Sequence, residues 1–109
     1  MICEQSAIDC DDDKGRLMTQ LENARNGTIT PQMRCVAADE GMDPEILRES
    51  IAAGQVVIPA NPLHENLEAV GIGKGLRTKV NANIGTSPSR CSAESEMAKL
   101  RAALEAGAD

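Results

Sequence analysis

The chain has 109 residues, a net charge of −6 and no Phe, Tyr or Trp. That length allows one small domain or a piece of a larger one, and the acidic balance argues against a nucleic-acid binder, whose phosphate contacts need a basic face. Without aromatics, a core must come from Ile, Leu, Val, Met and Ala. Ile, Leu and Val supply 21 residues, close to the level of roughly 20% below which burial struggles to offset chain entropy, so weak independent folding is predicted, as in a fragment.

Residues 1–17 have neither a helical nor a strand period, and Glu4, Asp9, Asp11, Asp12 and Asp13 make them acidic. A disordered extension is predicted. Asp9, Asp11 and Asp13 have the spacing of a calcium loop, but Lys14 and Gln20 stand where such a loop needs Gly and a bidentate Glu. No run approaches the roughly 20 apolar residues of a membrane span, and the acidic start lacks the regions of a signal peptide. A cytoplasmic protein with Cys3, Cys10, Cys35 and Cys91 reduced is expected.

From Met18 the punctuation changes. Thr19 and Glu22 form a capping box before a short helix that Gly27 ends. Thr30-Pro31 opens a segment closed by Gly41, and Asp43-Pro44 opens one closed by Gly54. Pro just inside the start and Gly just past the end predict helices near 31–40 and 44–53. Gln55 to Pro59 reads as an edge strand or extended segment. Residues 59–75 read mostly as loop, though Val70 and Ile72 suit part of a strand. Arg77 to Ile84 is the best strand candidate. A turn-rich loop follows to Cys91, and Ser92 caps a last helix with Met97, Leu100 and Leu104 on one face, ended by Gly107. Strand, loop and helix in this order look like a βα unit.

Several site candidates have plainer readings. The four cysteines include no pair separated by two to four residues, as tight zinc or iron-sulfur sites usually require. His64 stands alone, and a general base needs partners that converge on it. Gly71-Ile-Gly-Lys-Gly75 lacks the Walker spacing and reads as a glycine-rich turn. The helices at 31–40 and 44–53 have the layout of a helix-turn-helix, a small acidic interaction module of another class. Yet Glu45 and Glu49 outnumber Arg48 on the would-be recognition helix, which favours a packing αα-hairpin.

Lys79-Val-Asn-Ala-Asn-Ile-Gly85 carries most information. Residues two apart in a strand share a face, so Lys79, Asn81 and Asn83 line one side while Val80, Ala82 and Ile84 line the other. Ligands of parallel α/β barrels and sheets bind at the carboxyl ends of strands. Asn83 is the amide nearest that end and is the candidate ligand; Asn81 is placed deeper, in support. An Asn pair bonded within a structural core is the equally open alternative.

This stretch also resembles the signature near the start of the barrel in the phosphomethylpyrimidine synthase (ThiC) family. Thr19-Gln-Leu21 through Ala24-Arg25, Gly27 and Ile29-Thr-Pro31, together with Val57-Ile-Pro-Ala-Asn61 and Glu105-Ala-Gly-Ala-Asp109, match further family motifs in order. The resemblance covers about Met18 to Asp109 and implies an N-terminal fragment of an α/β protein. Residues 18–75 would be a pre-barrel helical and loop segment, and 76–109 the first strand and helix of a (β/α)8 barrel, which needs about 250 residues.

The resemblance also implies thiamine biosynthesis by a radical S-adenosylmethionine lyase, which converts 5-aminoimidazole ribotide to 4-amino-5-hydroxymethyl-2-methylpyrimidine phosphate. S-adenosylmethionine, a 4Fe-4S cluster and zinc serve the full-length family; the Cys-x2-Cys-x4-Cys cluster motif and the zinc histidines lie downstream and have no counterpart here. Asn83 falls on the family's substrate-contacting asparagine. No catalytic or metal-binding residue carries over, so the chain alone is expected to be inactive. The implied partner is the small-molecule substrate, with no nucleic acid and no membrane, and a homodimer of the full-length enzyme is compatible. The paralogous 5-hydroxybenzimidazole synthase of anaerobic cobamide biosynthesis would share this region.

Overall fold

Side-chain oxygens set the starts of the first three helices, with proline at the first position of the second and third. The computed structural model describes residues 17–89 and 92–109. The acidic stretch 1–16, with its Asp9-x-Asp11-x-Asp13 motif, Cys3 and Cys10, lies outside the described residues, as do Arg90 and Cys91. Helix α1 spans Gln20–Arg25. The Thr19 backbone N–H donates to Glu22 Oε2 at 2.8 Å, and Thr19 Oγ1 accepts from the Glu22 N–H at 3.2 Å, completing the expected capping box. Helix α2 spans Pro31–Glu40 and α3 spans Pro44–Ala52. Thr30 Oγ1 accepts the Met33 N–H at 3.2 Å, and Asp43 Oδ1 accepts the Glu45 N–H at 2.7 Å. Gly41 closes α2 at φ 66°, a left-handed conformation that costs glycine least.

The chain divides into two compact units, with the boundary between Arg77 and Thr78. In the first, α1 and α2 pack against α3, and Ala24, Met33, Val36, Ala37, Leu47 and Ile51 are buried with Val56 and Ile58. Strand β1, Val56–Val57, pairs antiparallel with β2, Ile72–Gly73, placing Val56 opposite Gly73. The result is a small helix-rich α/β unit with a two-stranded sheet. Its glycine-rich stretch has a packing role. A Cβ on Gly73 would run into the Gln55 carbonyl oxygen and the Val56 Cα, and one on Gly71 would meet Val36, so glycine lets the backbones approach.

The second unit has one regular element, helix α4, Ala93–Glu105. Ser92 Oγ accepts the Ser95 N–H at 3.4 Å. The strand expected over Arg77 to Ile84 is absent among the described residues. The physical reason is partnership: a strand is defined by its backbone ladder, and the backbone–backbone bond that joins residues 77–84 to a distant segment, from the Asp109 N–H to the Val80 carbonyl at 3.0 Å, is a single rung. The apolar faces are correspondingly open. Val80 and Ile84 are exposed, as are Met97, Leu100 and Leu104 on α4, and α4 buries no residue. Among the described residues no helix is long and apolar enough to cross a membrane.

Candidate functional site

In the segment 79–85 the side chains of the two asparagines meet. Asn81 Nδ2 donates to Asn83 Oδ1 at 3.3 Å, so the two amides share a side. Both residues are exposed among the described residues. The bond uses the Asn83 oxygen and leaves its NH2 group as the donor that Asn83 can turn to a ligand acceptor.

Two interactions with the α4 region hold this segment. The Val80 N–H donates to Asp109 Oδ2 at 2.7 Å, while the Asp109 N–H donates to the Val80 carbonyl at 3.0 Å. At the other end, Lys99 Nζ donates to the Gly85 carbonyl at 3.2 Å and to Glu96 Oε1 at 2.7 Å. Sequence reasoning did not single out Lys99, and it met Asp109 only as the last residue of a family motif. A lysine in a mixed-charge helix and an aspartate after a helix-ending glycine have no local mark that distinguishes them from surface residues.

The remaining candidates fall elsewhere. His64 is exposed, and its backbone N–H closes a turn onto the Asn61 carbonyl at 3.1 Å. Cys35 is disulfide-bonded, which corrects the expectation that all four thiols are reduced; spacing along a chain does not report which sulfurs meet in space. Among the described residues no three of His, Cys, Asp and Glu converge to hold a metal ion. The described residues therefore do not by themselves assemble an iron-sulfur or zinc site.

The helix-turn-helix alternative meets a similar obstacle. Leu47 and Ile51 of α3 are buried. Its one cation, Arg48, donates through Nη1 to the Ala24 carbonyl at 2.8 Å and through Nε to Glu45 Oε1 at 2.7 Å. The hydrogen bond to Glu45 holds the guanidinium pKa above its ordinary value, with Glu49 adding to the effect. A cation engaged in this way inside its own fold is poorly placed to bind phosphate.

The Radical SAM ThiC family matches residues 19–109. The chain is 58% identical over 92 residues to a phosphomethylpyrimidine synthase of Desulforamulus reducens, covering 84% of this chain and 21% of that protein. It is 54% identical over 92 residues to a phosphomethylpyrimidine synthase of Carboxydothermus hydrogenoformans, with the same coverage of 84% and 21%. It is also 56% identical over 93 residues to a 5-hydroxybenzimidazole synthase of Desulforapulum autotrophicum, covering 85% of this chain and 21% of that protein. With the match running from the cap of α1 to Asp109, the chain belongs to the Radical SAM ThiC family and spans about a fifth of the length of these relatives.

Proposed function

We propose that this chain is the N-terminal part of a phosphomethylpyrimidine synthase of thiamine biosynthesis. In this reading the longer protein is a radical S-adenosylmethionine lyase that rearranges 5-aminoimidazole ribotide into 4-amino-5-hydroxymethyl-2-methylpyrimidine phosphate. Residues 76–109 contribute the first strand and helix of a (β/α)8 barrel, and residues 18–75 form the segment before it. S-adenosylmethionine and a 4Fe-4S cluster supply the radical when bound. Their ligands, and those of zinc, belong to the rest of the protein, which leaves this chain the task of binding and orienting substrate.

The observation that carries the reading is the Asn81–Asn83 amide pair on a segment whose neighbour at Val80 is Asp109. Residues 80 and 109 are joined by one helical crossover. That is how the first strand of a parallel sheet meets the start of its second, and the exposed side chains of Val80 and Ile84 suit a face that further elements cover. Asn83 then stands at the ligand end of the strand.

The identity with a 5-hydroxybenzimidazole synthase favours a second reading, in which the same substrate is converted to 5-hydroxybenzimidazole. Anaerobic turnover by the full-length reconstituted protein with aminoimidazole ribotide and S-adenosylmethionine separates the two by product mass. The pyrimidine phosphate supports the first reading, the benzimidazole the second, and neither product rejects both.

A further inference from the structure

The 80–85 segment is clasped at both ends by groups from one helix and its exit. At one end Asp109 both accepts from and donates to the backbone of Val80; at the other, Lys99 donates to the Gly85 carbonyl. The five steps from Val80 to Gly85 would span about 16 Å if fully extended, and the candidate ligand Asn83 lies within that span. The order is antiparallel, as a returning helix requires: the earlier residue, Lys99, holds the later point of the segment, and the later residue, Asp109, holds the earlier. Glu96 Oε1, 2.7 Å from Lys99 Nζ, steadies the ammonium that makes the upper contact.

From this we infer that Lys99 and Asp109 are positioning residues: they fix the register and backbone conformation of residues 80–85 and so set where the Asn83 amide is presented. Neither touches substrate. The functional consequence rests on the reading of Asn83 as a substrate contact, whereas the conformational claim stands on the two clasps alone. A carbonyl held by an ammonium and an amide held by a carboxylate are charge-assisted contacts, so an uncharged replacement weakens each clasp. Misplacement of a binding group by a fraction of an ångström to an ångström lowers turnover steeply.

The test uses the full-length protein carrying Lys99→Met, Lys99→Arg, Asp109→Ala and Asn83→Ala, alone and as Lys99→Met with Asn83→Ala. Amide hydrogen exchange over residues 80–86 reads the clasps without reference to activity. Faster exchange there is expected in Lys99→Met and Asp109→Ala, with restoration in Lys99→Arg; unchanged exchange in both overturns the inference. In kinetics, Lys99→Met is expected to lower kcat/KM for aminoimidazole ribotide about tenfold, mainly through KM. Its effect should largely vanish in the Asn83→Ala background, because it acts through that residue. Full additivity overturns the positioning role. Unaltered turnover in Asn83→Ala rejects the substrate-contact reading instead and leaves the exchange result to judge the clasps.

Discussion

Asn81 Nδ2 lies 3.3 Å from Asn83 Oδ1, so the Asn81 amide holds the Asn83 oxygen. On the proposed reading, that contact makes Asn81 the residue that orients Asn83. In the full-length protein, Asn81→Ala is expected to weaken aminoimidazole ribotide affinity about three- to tenfold, the effect of losing one neutral hydrogen bond. Calorimetric titration compares it with Asn83→Ala, which should be the more damaging. Equal affinities for Asn81→Ala and wild type would reject the supporting role.

The two units should respond differently to truncation of leucine. Leu47 is fully buried among α1, α2 and α3, whereas Leu104 is 60% exposed on α4. In the 109-residue chain, whose independent stability is expected to be small, Leu47→Ala is expected to abolish cooperative unfolding and Leu104→Ala to cost less than about 0.5 kcal/mol. Urea unfolding followed by circular dichroism measures both. Comparable losses at the two positions would contradict the assignment of the core to the first unit.

Thr30 caps α2 by accepting the Met33 N–H and also donates to Gln20 Oε1 at 2.6 Å, joining the starts of α1 and α2. Thr30 is buried, with 8% of its surface exposed. Thr30→Val keeps the shape and removes both bonds, for an expected loss of about 1–2 kcal/mol; Thr30→Ser should retain most of the stability. The same unfolding measurement checks the pair.

Gly73 and Gly85 make a matched control for backbone approach. A methyl group at Gly73 would collide with the Gln55 carbonyl, while Gly85 has nothing within 4 Å of such a group. Gly73→Ala is therefore expected to disrupt the β1–β2 pairing and lower the thermal midpoint of the first unit, and Gly85→Ala to leave it unchanged. A tolerated Gly73→Ala would show that the two strands have room to separate.

The helices were legible because their boundaries are chemical. Thr19, Thr30 and Asp43 bond the first free N–H groups, and Gly41 takes the left-handed turn, all local effects written in consecutive residues. Strand pairing is a relation between distant segments, which explains the different fate of Arg77 to Ile84. Its alternation correctly put Asn81 and Asn83 on one side, yet alternation cannot supply neighbours, and Val57 and Ile72 form the paired strands instead. The apolar stripe of Met97, Leu100 and Leu104 was likewise readable as a stripe, but not its exposure. Lys99, Asp109 and the disulfide at Cys35 escaped because each acquires its role only through a partner brought near by folding.

The central claim is that Asn83 presents its amide to substrate from the end of the first barrel strand. Its most direct test is the dissociation constant of aminoimidazole ribotide for the full-length protein and its Asn83→Ala variant, alongside their thermal midpoints. The account predicts binding weakened about 5- to 150-fold, as expected for the loss of about 1–3 kcal/mol from one polar contact, with the midpoint unchanged. Equal dissociation constants in two equally stable proteins would contradict it.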